Sequence, residues 1–200
     1  MSKPLKRCYH SHPVVDLGLD GHFYGGSCIE PAYRKANIYV ALDRGYRVIT
    51  YGFPWNNGDG FLFEIRNMCA PQGKNAIIQY RKMITWLLEG MAVGRDVHVG
   101  CIGGHGRTGM VLASLVAQAL PEVKNAIKWT RDHYCKKAVE SEPQVAFLVQ
   151  EFGCKLAKPS YKAAINGNVD LWPEVQTVIP FTPRLGPKGY HGKQHPRGKD

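Results

Sequence analysis

The chain has 200 residues, a hydrophobic fraction of 44% and a formal charge of +10, which suits one domain plus a tail and excludes disorder throughout. No apolar run nears the roughly 20 residues needed to cross a bilayer, and no apolar core follows the basic N-terminal residues as it would in a secretion signal, so the expectation is a cytoplasmic chain without a membrane span. Cys8, Cys28, Cys69, Cys101, Cys135 and Cys154 form no CxxC pair, which argues against a zinc or disulfide framework.

Residues 1–22 read as an N-terminal extension. Its His10, His12 and His22 have no carboxylate or cysteine at metal-ligand spacing, so no metal is expected there. Phe23-Tyr24-Gly25-Gly26-Ser27 reads as a short strand ending in a glycine turn. Pro31 sits near the start of an expected helix over 31–44, capped by Gly45, and Tyr46–Tyr51 follows as a strand. Residues 54–60 carry turn chemistry throughout, and 61–73 alternate Phe61, Phe63 and Ile65 before Pro71. The apolar face of Ile77, Tyr80, Ile84, Leu87 and Leu88 predicts a helix over 74–90, with Gly90 near its end.

Gly94-Arg95-Asp96 then turns into an apolar strand ending at Cys101, and Thr108 to Leu120 reads as a helix apolar nearly all round, hence central. Pro121 is expected to start another helix carrying Val123, Ile127 and Trp129. A last helix carries Val145, Leu148, Val149 and Phe152. Residues 23–156 thus form the expected domain, an α/β fold with a central, mostly parallel sheet flanked by helices. Residues 157–200 read as a Pro/Gly-rich basic tail, whose last twenty positions hold five Lys/Arg against one Asp and so supply +4 of the +10.

The organising stretch is Cys101-Ile102-Gly103-Gly104-His105-Gly106-Arg107-Thr108-Gly109, a glycine-rich turn between an apolar strand and an apolar helix. Such a turn points backbone N–H groups inward at the positive end of a helix and is built to hold an anion. Arg107 adds a planar, two-pronged donor for phosphate oxygens. Both features favour a thiolate at Cys101, directly beneath a bound phosphate. Gly103, Gly104 and Gly106 permit the backbone angles required. The amides of Ile102, Gly103, Gly104, His105 and Gly106 supply the remaining donors.

This pattern, Cys-x5-Arg followed by Thr-Gly, resembles the signature of the cysteine-dependent protein tyrosine and dual-specificity phosphatases. Phe23–Ser27 with Ala41–Ile49 is similar to that family's N-terminal strand-helix-strand, and Ala138–Leu148 to its glutamine-bearing segment. The resemblance implies a cysteinyl-phosphate intermediate at Cys101, with Arg107 clamping the equatorial oxygens and Gln144 positioning the water that hydrolyses it. Thr108 would ease departure of the thiolate, cap the helix, or both. The family commonly has His before the nucleophile, where this chain has Gly100, with His98 two positions earlier.

The family's general acid is an aspartate on a loop after the preceding strand. Asp59 in Phe53–Gly60 is the first candidate and Glu64 the next, since Asn57 cannot serve as an acid. His105 is expected at the pocket mouth, tuning substrate preference. No metal or cofactor is required, because Arg107 and the loop amides carry the phosphate charge.

The implied activity is a phosphomonoesterase acting on phosphorylated protein side chains. The basic surface and tail leave RNA as a possible partner and an RNA 5′-triphosphatase as an alternative. Gly100 and the irregular acid loop leave a third, a catalytically weak phosphate-binding module. The loop lacks the lysines expected of a phosphoinositide specialist.

Overall fold

The structure is a computed structural model and describes residues 12–28, 35–43 and 59–156. Its centre is a four-stranded, all-parallel sheet in the order β1-β4-β2-β3, formed by β1 (Phe23–Ser27), β2 (Ile38–Ala41), β3 (Asp59–Leu62) and β4 (Val97–Cys101). Four helices among the described residues accompany it: α1 (Lys74–Ala92), α2 (Gly106–Ala119), α3 (Ala126–His133) and α4 (Glu142–Phe152). The α/β architecture with a parallel sheet is therefore as expected.

The sheet is ordered by burial. All five residues of β4 are buried between β1 and β2, so this strand has no polar face. From Gly106 to Val116 every residue of α2 is buried, as its all-round apolar sequence predicts. On α1, Tyr80, Met83, Ile84, Leu87 and Met91 face the core at helical spacing. Gly90 lets α1 approach the sheet closely, since a Cβ there would lie 2.5 Å from Ile38 Cδ1.

Two expected boundaries are corrected. Residues 38–41, assigned to a helix over 31–44, form β2, buried at all four positions and paired on both sides. A fully buried parallel strand reads as a continuous apolar run, which periodicity cannot separate from a buried helix segment. The helix expected from Pro121 begins only at Ala126, where the Asn125 side chain accepts from the Lys128 amide at 2.9 Å. The expected strand Tyr46–Tyr51, most of the 54–60 loop and the 157–200 tail lie outside the described residues.

Residues 12–22 do join the core. Val15 exchanges two backbone hydrogen bonds with Phe23 at 2.9 Å, and Val15 and Leu17 are buried. Among the described residues no helix is long and apolar enough to cross a membrane.

Candidate active site at the end of the central strand

The parallel sheet sends β4 to its C-terminal edge, the edge at which open α/β sheets leave their ligand crevices. Cys101 ends that strand, residues 102–105 turn, and α2 begins at Gly106. The turn therefore lies at a helix N-terminus, with its partial positive charge and amides that have no partner within the helix. It is laced from within: the buried Cys101 amide donates to Thr108 Oγ1 at 3.1 Å. Thr108 thus ties the loop's first residue to the helix. The N-cap of α2 is His105, which makes no side-chain capping bond.

Gly104 adopts φ +70 and lies so close to β1 that a Cβ would come within 2.8 Å of the Gly26 backbone. Its carbonyl accepts a 2.6 Å hydrogen bond from the Tyr134 hydroxyl. Burial holds that hydroxyl well above its ordinary pKa, so it stays a donor. Tyr134 in turn fits against Gly25, where a Cβ would be 2.3 Å from its oxygen. The paired glycines of β1 are cut to this loop.

Gly100 has the same explanation. A Cβ there would meet the Cys28 amide nitrogen at 2.6 Å, because Cys28 donates that N–H to the Cys101 carbonyl at 2.8 Å. The chain leaving β1 fills the space a histidine side chain would need. Burial also pushes the Cys28 thiol up to about 12, with Asp43 and Cys101 adding to the rise. Cys28 is therefore held as a protonated neighbour of Cys101.

Arg107 is buried, and its guanidinium is anchored through Nη1. It donates to Asp43 Oδ2 at 2.6 Å, to the Ile65 carbonyl at 2.7 Å and to the Leu42 carbonyl at 3.2 Å, with Asn67 Oδ1 at 3.4 Å from Nη2. All these acceptors lie just past β2 and β3, so the C-terminal ends of three adjacent strands converge on this side chain.

Gln144, 1% exposed, reaches the same place: its Oε1 accepts from the Glu140 amide at 2.9 Å, and its Nε2 lies 3.4 Å from the Cys69 carbonyl. The Gly106 amide donates to Glu140 Oε2 at 3.1 Å. Gly106, expected as a phosphate donor, has its amide engaged by a carboxylate that a Cβ would crowd at 2.5 Å. Ile102, within the loop, is exposed, and so is Met68, the residue after Asn67.

Two further expectations are corrected. Asp59 opens β3 in register with Ile38, which is itself in register with Val97. It therefore stands four residues short of Cys101, at the opposite end of the sheet and about 13 Å away along the strands. There it is ion-paired with Arg95, far from any leaving group at the loop. Glu64 does lie past β3, partly exposed between the buried Phe63 and Ile65. His105 is buried rather than facing a pocket mouth, its Nδ1 3.1 Å from His12 Nε2 and 3.2 Å from Cys135 Sγ.

Sequence reasoning missed Asp43, Asn67, Tyr134 and Glu140. For Asp43 a signal was present: a carboxylate directly after a five-residue apolar run is where a parallel strand would deliver it. The other three act through contacts that only the fold creates.

No protein-family model matches the chain. An uncharacterized protein, MJECL20, of Methanocaldococcus jannaschii is 51% identical over 57 residues, 28% of this chain and 37% of that protein. The matched stretch thus spans little more than a third of that relative's length. Among solved structures, Tk-PTP in its active form superposes over 70% of this chain and 96% of its own, with a TM-score of 0.55 and 20% identity. Kinase associated phosphatase, with its catalytic cysteine replaced by serine, superposes over 74% of this chain and 99% of its own, at TM-score 0.54 and 16% identity. The fold of this chain, a parallel sheet with flanking helices, is that of the tyrosine and dual-specificity phosphatases.

Proposed function

We propose that the chain is a phosphomonoesterase that works through a cysteinyl-phosphate and acts on phosphorylated protein side chains, phosphotyrosine foremost. The observation that carries this is the convergence of Cys101, its loop amides and the anchored Arg107 at the C-terminal end of the central strand. In the first step Cys101 Sγ attacks phosphorus in line, an S–P bond forms, and the ester P–O bond breaks. The amides of Ile102, Gly103, Gly104 and His105 and the unanchored edge of Arg107 hold the equatorial oxygens, where positioning and electrostatics dominate the rate.

In the second step a water, oriented by Gln144, attacks phosphorus. The S–P bond breaks, and inorganic phosphate and a thiolate are released. The Thr108 hydroxyl hydrogen, left over once its oxygen accepts from Cys101, is available to ease that departure.

Leaving-group chemistry sets the preference. Asp59 is remote, Asp43 is committed to Arg107, Glu140 accepts from the Gly106 amide, and the side chain bonded to the guanidinium's Nη2 is the Asn67 amide, which is no acid. A phenol leaving group, with pKa near ~10, departs far more readily without a proton donor than an alkoxide does. Phosphotyrosine is therefore expected to exceed phosphoserine and phosphothreonine.

The remoteness of Asp59 favours a second reading, a module that binds phosphorylated ligands with little turnover. A phosphate-release panel separates these possibilities: phosphotyrosine, phosphoserine and phosphothreonine peptides, phosphoinositides and triphosphate-ended RNA. Release led by phosphotyrosine supports the phosphatase. Tight binding without release supports the module, and release from RNA alone overturns both.

A further inference from the structure

We propose that His12, His105 and Cys135 form a binding site for a zinc-class divalent cation beside the phosphate loop. These residues come from three separate parts of the chain: the N-terminal segment, the loop itself and the connection between α3 and α4. Their ligand atoms all lie within 4.8 Å of one another, with His105 and Cys135 buried and His12 partly so. His105 Nδ1 is the hub, 3.1 Å from His12 Nε2 and 3.2 Å from Cys135 Sγ.

A cation at the focus engages all three lone pairs together. With Zn–N about 2.0–2.1 Å and Zn–S about 2.3 Å, tetrahedral geometry sets N···N near ~3.3 Å and N···S near ~3.6 Å. The two close pairs need only to open by a few tenths of an ångström, while the third is drawn in.

The donor set selects the ion. Two imidazoles and a thiol, with no carboxylate, suit zinc and its softer neighbours rather than magnesium or calcium. Binding releases the Cys135 thiol proton to solvent as the S–metal bond forms. Three protein ligands leave one position for water.

The surroundings hold the ligands in place. The His12 ring stacks on Tyr134 at 4.6 Å between centroids, and the Tyr134 hydroxyl is bonded to the Gly104 carbonyl. Three residues beyond His12, Val15 is pinned to Phe23. A bound cation would tie the N-terminal segment to the phosphate loop and add positive charge beside an anion site. None of this was visible in the cysteine and histidine spacing, because the three ligands are 93 and 30 positions apart.

The test is titration of the full chain with Co²⁺ after chelator treatment, read by absorbance and by thermal unfolding. One Co²⁺ per chain is expected, with a sulfur-to-cobalt charge-transfer band, tetrahedral d–d bands, a raised Tm and displacement by Zn²⁺. The bands should survive in Cys101→Ser, vanish in Cys135→Ser and require roughly tenfold or more Co²⁺ in His12→Ala. Circular dichroism confirms that each variant is folded. A folded wild type without the charge-transfer band overturns the site, as does a band that persists in Cys135→Ser or is lost in Cys101→Ser. Because the readout is independent of turnover, its failure leaves the phosphatase reading untouched, and an inactive protein leaves the metal site standing.

Discussion

The Tyr134 hydroxyl donates to the Gly104 carbonyl at 2.6 Å and holds that oxygen against the glycines of β1. Turning a peptide's carbonyl to one side turns its N–H to the other, so this bond supports the orientation of the loop amides. Tyr134→Phe leaves a buried carbonyl without its partner, at a cost of about 1–3 kcal/mol. Denaturant unfolding should show that loss, and aryl phosphate kinetics should show reduced kcat/KM in a folded protein.

Asp43 and Asp59 should separate cleanly. Asp43→Asn removes the charged partner of Arg107 within the site and should lower turnover on the order of 10- to 100-fold through misplacement of the guanidinium. Asp59→Asn breaks a partly exposed pair with Arg95 at the other end of the sheet. It should leave kcat/KM unchanged and alter stability by no more than about 1 kcal/mol. Parallel kinetics and melts of the two variants check both outcomes.

Placing a histidine before Cys101 should harm the protein. The Gly100 position meets the Cys28 backbone within 2.6 Å of a Cβ, so even Gly100→Ala forces β1 and β4 apart. Gly100→Ala should destabilise by about 1–3 kcal/mol and Gly100→His by more, with no gain in turnover. Equal or greater stability in a melt of either variant would contradict this packing.

His98 makes stability depend on pH. It is buried in β4, its Nε2 has no hydrogen-bond partner among the described residues, and burial lowers its pKa from 6.5 to about 4. Between those values the unfolded chain binds a proton that the folded chain refuses. Its contribution is therefore complete above pH 6.5, declines as pH falls and is gone below about 4, for a total of about 3 kcal/mol. Melts from pH 7 to 4 should show this slope in the wild type and a shallower one in His98→Leu.

The loop from Cys101 to Thr108 was legible because its signals are local. A cysteine, glycines and an arginine between an apolar strand and helix specify a loop at a helix N-terminus. Gln144 was reachable through resemblance, and the structure brings it to Glu140 and Cys69 beside the loop. The placement of Asp59 was not legible. Asp59 and Cys101 lie at opposite ends of parallel strands, a fact set by register between segments nearly forty residues apart. The 31–44 assignment failed for a related reason: apolar burial on both faces erases the alternation that marks a strand. His105 reads as a pocket residue until the fold sets His12 and Cys135 against it.

The central claim rests on Cys101 as the covalent nucleophile. Rapid acid quenching of the wild type with an aryl phosphate, followed by mass spectrometry, should find phosphate on the peptide bearing Cys101, and Cys101→Ser should show neither phosphocysteine nor turnover. Wild-type turnover with no phosphorylated Cys101, or equal turnover in Cys101→Ser, would contradict it.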